Sequence, residues 1–438
     1  MRTLLADRRF RLFWLGQATS TVGNGIRIVA LAALVLDRYD GQTLGWVLAA
    51  DSLATALVLL AGGVLADRYS RTTVMAAGDL IRALAAVGFV MLAGSPAGLV
   101  ALAIAGGVGA ALFQPAHRAA IPQLVTADLR KTANALESAT NQIGLAVGAA
   151  LGGILVASVG ARVALLIDAG TFLVSLATLV LIRLPRVSAA PAAGLAATLH
   201  EAREGIRAVL AKPWVGVTIL QGTVQIAFAF APTWVLLPIV AQDRYGHGAY
   251  GVLVTAQFVG MVIGTAFAGR LRVRREGLVA MHGIAASALT GLCLAVPVPL
   301  PVFALAQFLA WFGVGVFVVF WVTALQRAYP AQLQGRVWSL EQVTTFAAEP
   351  IALAAAPAVA AAVGIPTIGI VAAVVLVIAS YAVLVVPGVA DFRDRATAPD
   401  ETQPGAPQPE PVQAAAVVRS TLSESPDLPS ALDARPGT

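Results

Sequence analysis

Residues 63–71 read Gly63-Val64-Leu65-Ala66-Asp67-Arg68-Tyr69-Ser70-Arg71. A long apolar run ends there on an acid and two arginines, and another apolar run begins just after. Gly63 permits close approach of a neighbouring helix. Asp67, at the polar end of its run, can accept hydrogen bonds from a neighbouring helix N-terminus, while Arg68 and Arg71 can pair with acids or lipid phosphate. The flanking runs, 44–66 and 73–94, are each long enough to cross a ~30 Å hydrocarbon layer as a helix.

Outward from this junction, similar runs cover 12–36, 97–121, 133–159, 163–183, 213–241, 249–269, 277–296, 301–327, 337–361 and 365–387. About twelve helices are therefore expected, in an all-α polytopic membrane protein. Composition agrees, with 58% apolar and 12% charged residues and a mean hydropathy of +0.82, where a soluble chain carries about 25% charged residues. Most of the surface must face a lipid bilayer. The net charge of +6 would suit a nucleic-acid binder, but the basic residues lie in short segments between apolar runs, so no nucleic-acid partner is expected. Cys293 is the single cysteine, which excludes an intramolecular disulfide, and the four histidines are scattered without metal-ligand spacing.

An even number of spans puts both ends on one side. With both ends cytoplasmic, 24 of the 29 Lys and Arg residues fall on or beside cytoplasmic segments, as the positive-inside rule requires. Arg38, Arg162 and Arg244 lie outside, and Arg27 and Arg82 within helices. Arg2, Arg8, Arg9 and Arg11 precede a first run too long for a signal sequence, so this run reads as the first membrane helix. The chain is expected in a bacterial inner membrane.

Four segments follow. Residues 1–183 and 213–388 each hold six helices. Between them, 184–212 contains Leu199, Ala202, Ile206, Val209 and Leu210 at helical spacing among charges, an interfacial amphipathic helix. The Pro- and Ala-rich stretch 389–438 is expected to be disordered.

The halves look related. Gly62-Gly63-Val64-Leu65-Ala66-Asp67-Arg68 recurs as Gly264-Thr265-Ala266-Phe267-Ala268-Gly269-Arg270, and the stretch from Pro122 to Leu136-Glu137 recurs from Pro330 to Leu340-Glu341. Such duplication is common in secondary transporters. Over residues 8–390 the chain resembles the major facilitator superfamily, with residues 63–71 similar to its loop between helices 2 and 3. Thr72 stands where that family has a third basic residue. The resemblance implies that Asp67 belongs to an inner gate whose partner is the helix-11 N-terminus near Arg336. Phe13-Trp14-Leu15-Gly16-Gln17, Ala133-Asn134-Ala135-Leu136 and Gly335-Arg336-Val337-Trp338-Ser339 resemble the branch of macrolide and siderophore exporters. Gly144, Gly148, Gly152 and Gly153 are similar to the antiporter motif of drug exporters, with Ala149 in place of its proline; independently, they form a smooth face for close packing.

A charge at a helix centre costs ~2.5–3.5 kcal/mol on insertion scales, so each must be paired, hydrated or functional. Asp79 and Arg82, three apart, can satisfy each other. Arg27 and Asp51 lie at similar depth and can form an ion pair, either a proton-coupling element or a static bridge. Glu349, followed by the helix-breaking Pro350, is a second candidate proton carrier or a satisfied packing contact. Asp168 is expected at the interface. Glu137 and Glu341 are expected at the starts of helices 5 and 11 in structural roles. His117 with Arg118 reads as a pH-sensitive switch or a structural contact.

The resemblance places helices 1, 4, 7 and 10 around a central cavity. On them stand Gln17, Ser20, Asn24, Gln114, Gln221, Gln225, Trp234, Trp311, Phe317, Phe320 and Trp321, with Asn141 on helix 5. Aromatic walls with a few amides suit a bulky amphipathic organic molecule, although any of the tryptophans would also serve as an interfacial anchor. No GxxxxGK[ST] loop, HExxH or GxSxG occurs, so neither ATP-driven transport nor enzymatic activity is expected, and no cofactor or metal. The expectation is a monomeric exporter of a hydrophobic or amphipathic small molecule, working by alternating access in exchange for protons. An importer or lipid flippase on the same fold, or a membrane receptor or assembly scaffold without transport, are the alternatives.

Overall fold

The computed structural model of the chain describes residues 2–182, 184 and 195–394. Twelve helices in it are long and apolar enough to cross a membrane. They are α1 (Arg8–Leu36), α2 (Gly41–Arg68), α3 (Arg71–Met91), α4 (Pro96–Leu124), α5 (Arg130–Val159), α6 (Ala161–Ile182), α7 (Pro213–Tyr245), α8 (Ala249–Ala268), α9 (Glu276–Ala295), α10 (Leu300–Ala328), α11 (Ala331–Val363) and α12 (Ile365–Ala382). A short helix, Arg2–Ala6, precedes α1, and a connector helix, Leu195–Leu210, lies between α6 and α7. All twelve correspond to the apolar runs, and large apolar side chains such as Leu57, Leu181 and Ile351 point outward, as a lipid-facing belt requires.

Local chemistry sets the helix ends. Asp7 accepts hydrogen bonds from the Arg9 and Phe10 amides at the start of α1, Asp40 from Thr43 at the start of α2, and Ser95 from Gly98 at the start of α4; each satisfies amides that have no partner inside the helix. On the face away from the basic junctions, Gly160, Gly246 and Gly364 end α5, α7 and α11 with φ between 83° and 88°, a left-handed geometry that costs glycine nothing.

The helix packing repeats along the chain. α2 lies against α4 as α8 lies against α10, and α3 against α4 as α9 against α10. The glycine stripe of α5 meets α1: a Cβ at Gly148 would sit 2.8 Å from the Gly25 Cα. Between the first six and last six helices, α5 packs on α8 and α2 on α11. These seams close at the far face, opposite the basic junctions. Gln42 donates to the Ala354 carbonyl at 2.9 Å and Gln242 to Asp37 at 3.1 Å. A Cβ at Gly45 would fall 2.7 Å from the Leu353 carbonyl, and one at Gly251 would fall 2.5 Å from the Gly153 Cα.

Two helices are irregular. In α7, residues Ile226–Phe230 form a π turn in which the Ala231 amide reaches back to the Ile226 carbonyl. Pro232 has no amide with which to continue the ordinary ladder, and the widened turn accommodates it. α9 turns at Ala286 and Ser287 before resuming.

On the basic face, Arg336 of α11 pairs with Glu204 of the connector helix, whose Val209 is buried while Ile206 and Leu210 are exposed. The side chains of Leu199 and Ala202 lie outside the described residues, as do the segment 185–194 and the tail from 395. So do the surroundings of Gly63 and the side chain of Asp67; of that junction, Arg68 is exposed and Arg71 donates to the Ala119 carbonyl of α4. The chain below the helices is fastened by Asp394, which accepts from Lys212 and, at 2.7 Å, from the Trp214 indole. Burial alone would raise the Asp394 carboxyl, but these donors and the Lys212 charge outweigh it and hold the group below its ordinary value.

Candidate functional site: a central cavity

Three adjoining hollows run between the helices. The first, of about 690 Å³, has polar walls from α1, α3, α4 and α5, among them Gln17, Asn24, Arg27, Arg82, Gln114, His117, Glu137 and Asn141. The second, of about 480 Å³, shares Arg27 and Gln114 with the first and adds Asp51, Ser52, Trp234, Tyr250, Gln257, Trp311 and Glu349. The third, of about 280 Å³, shares Trp234 and Trp311 with the second and is otherwise formed mainly by α7 and α10, with Phe317 and Trp321. Toward the basic face the wall residues Gln114, Arg118, Asn134 and Ser138 are exposed, so the described state opens on that side.

The geometry unites most of the residues singled out in the sequence. Gln17, Ser20, Asn24 and Arg27 recur at three- and four-residue spacing along one face of α1, which the helical period directs into the hollow. Arg27 Nη1 lies 3.6 Å from Asp51 Oδ1, and both side chains are 27% exposed. Beside them, the Ser52 hydroxyl donates to Glu349 Oε1 at 3.0 Å. Arg82 pairs with Asp79 as their spacing predicts, and Ser175 donates to the other Asp79 oxygen. Gln17 in turn donates to Ser175 at 3.1 Å.

Other expectations need correction. Asp168 is wholly buried rather than interfacial; the crossing of α6 over α1 brings it inward, and a Cβ on Gly23 would lie 2.7 Å from its Oδ1. Gln221 and Phe320 do not line the hollows. Gln221 donates to Gln225, which donates to Ser380 on α12, and Phe320 sits in an apolar cluster with Trp214 and Val316. Gln225 lines the third hollow while making that bond.

Glu137 and Glu341 are not at helix starts. Because α5 begins at Arg130 and α11 at Ala331, they lie about two and three turns inside, and each lines a hollow. Glu137 Oε2 is 3.4 Å from His117 Nε2, and the imidazole is stacked between Phe13 and Phe113 with ring centroids at 5.3 and 5.7 Å. Glu341 Oε1 accepts from the Trp321 indole at 2.8 Å. Sequence reasoning also missed Ser52, Tyr250 and Gln257 as wall residues. The repeat that aligns Glu137 with Glu341 was the available signal for the acids.

A polar–aromatic hollow between paired six-helix sets is the arrangement of a membrane carrier. The profile of the transmembrane secretion effector family matches residues 3–417. The chain belongs to this family, a branch of the major facilitator superfamily. Among relatives of this transporter, the multidrug efflux pump Tap of Mycolicibacterium fortuitum is 28% identical over 363 residues, covering 79% of this chain and 88% of Tap. The enterobactin exporter EntS of Salmonella typhimurium is 31% identical over 352 residues, covering 76% and 82%. The nucleoside transporter NupG shares the fold, with a TM-score of 0.67 at 14% identity over 86% of this chain and 99% of that one. The protein is thus a multi-pass membrane transporter of the major facilitator fold rather than an enzyme.

Proposed function

We propose that this transporter exports a hydrophobic or amphipathic organic molecule from the cytoplasm by alternating access, in exchange for protons. One observation carries the reading: the hollow between the helix sets holds both an aromatic wall, Trp234 and Trp311, and a half-buried charge group, Arg27, Asp51 and Glu349. A substrate with a large apolar body suits the first, and proton exchange suits the second. Tap and EntS, both named as exporters, support the direction.

The basic face is then cytoplasmic and the described state is open to the cytoplasm. Residues 1–183 and 213–388 act as two units that rock about the hollow, with 184–212 as their connector and 389–438 as a cytoplasmic tail. When the far-face seams part, Asp67 meets the α11 N-terminus, where Arg336 is now held by Glu204. A proton taken up at Asp51 or Glu349 from the far side neutralises a carboxylate there, and with that charge gone the emptied cavity can close on the far side, where the Ser52 bond to Glu349 re-forms. The transporter acts as a monomer.

The test is accumulation of candidate antibiotics, dyes and siderophores in cells with and without the protein, each with and without an uncoupler. Lower accumulation that the uncoupler abolishes supports the reading. Equal accumulation across all compounds, with the protein present in the membrane, rejects it.

A further inference from the structure

The two halves place an acid at the same register and give it different partners. Glu137 of α5 faces His117 of α4; each has its counterpart 204 residues further along the chain, in Glu341 of α11 and Trp321 of α10. In the first half the acid meets an imidazole that can carry positive charge. In the second half it meets an indole, which donates one hydrogen bond and carries no charge.

Among the described residues, Glu341 is therefore an acid with no cation paired to it. Its Oε2 is shielded from solvent and has no hydrogen-bond partner among the described residues. Among the described residues, no Lys, Arg or His belongs to the wall of the hollow it lines. That wall is instead aromatic, with Phe230, Trp234, Trp311, Phe317 and Trp321 around about 280 Å³, and Phe317 is stacked on Trp321 at 6.2 Å. A carboxylate taken out of water needs a proton or a positive partner. Aromatic faces attract cations and exclude anions, and most strongly where water is scarce.

Resting on the export reading and naming the substrate class for it, we propose that the hollow walled by Trp311, Trp321 and Glu341 binds the positively charged, apolar end of an organic cation. The first hollow, where Arg27, Arg82 and Arg118 outnumber Glu137, takes the polar remainder. The carrier is thus electrostatically two-ended, with its cation end on α10 and α11. The π turn of α7 lies in the same wall, since Ile226 and Phe230 belong to it, so the widened backbone shapes the cation end directly.

The test uses two ions of one shape and opposite charge, tetraphenylphosphonium and tetraphenylborate, titrated into the purified full-length transporter while following tryptophan fluorescence and binding heat. The cation is expected to bind, and Glu341→Gln to weaken it about tenfold or more without weakening the anion. Gln keeps an oxygen for the Trp321 indole, so the fold is expected to survive, and Glu341→Asp keeps the charge and is expected to retain the preference for the cation. Equal cation affinity in wild type and Glu341→Gln overturns the proposal, as does a loss shared equally by both ions. Should Glu341→Gln fail to fold, Trp311→Leu decides: selective loss of the cation supports the site and unchanged affinity rejects it. Binding is read apart from export. If charge preference is absent while cells still extrude compounds, only the cation site falls; if the preference is present without extrusion, only the export reading falls.

Discussion

Ser52 Oγ donates to Glu349 Oε1 at 3.0 Å, one short bond linking α2 to α11 at the floor of the cavity. It lies just below the seam where Gln42 reaches Ala354 and Gly45 abuts Leu353. A hydrogen bond to a charged acceptor contributes about 1.5–3 kcal/mol, enough to shift a balanced two-state equilibrium by tenfold or more. Ser52→Ala should therefore favour the far-open state. Cysteine pairs introduced across α2 and α11 near the far face should cross-link less readily in the variant, and unchanged cross-linking would remove Ser52 from any part in the seam.

The second seam gives an independent prediction. Gly153 and Gly251 touch backbone to backbone between α5 and α8, so Gly251→Val must push the helices apart at a cost of about 1–3 kcal/mol. Labelling of far-face positions by a membrane-impermeant thiol reagent should rise, and export should fall while substrate binding persists.

Arg27 and Asp51 separate coupling from scaffolding. Asp51→Asn leaves Arg27 without its acid in a low-dielectric site, and export driven by a proton gradient should fall to background. The double variant Arg27→Gln/Asp51→Asn removes both charges. A static bridge would be restored by this neutral pair; a coupling element would not, and transport in sealed proteoliposomes under an imposed gradient is expected to stay absent.

Asp394 offers a pH-dependent prediction outside the membrane. Its carboxyl is held below the ordinary value of 3.8, so the folded state binds a proton less readily than the unfolded chain. The contribution to stability is complete above that ordinary value and is lost as pH falls through the lower folded one. Asp394→Asn should lower the melting temperature of the purified protein equally at pH 7 and pH 5. Toward pH 3 the gap from wild type should narrow.

Much of the architecture was legible in the chain because a bilayer removes choices. With no water to satisfy backbone groups, each apolar run long enough to span must be a helix, and all twelve runs became helices, with ends up to six residues from those expected. The pairings Asp79–Arg82 and Arg27–Asp51 were also legible, the first from helical spacing and the second from matched depth, because unpaired charge in lipid is too costly to leave. The cavity face of α1 followed from its three- and four-residue spacing.

What tertiary structure alone decided was which way the remaining polar groups turned. A helix hydrophobic on every side gives no period by which to choose a face, so Gln221 and Phe320 went to packing while Glu341 and His117 reached the hollow. Asp168 was drawn inward by the crossing of α6 over α1, which no local pattern encodes. Sequence determined the number of helices, their ends and their relatedness, since these depend on transfer of residues from water to lipid. The contacts between helices depend on shape complementarity among side chains far apart in the chain, and those set the site.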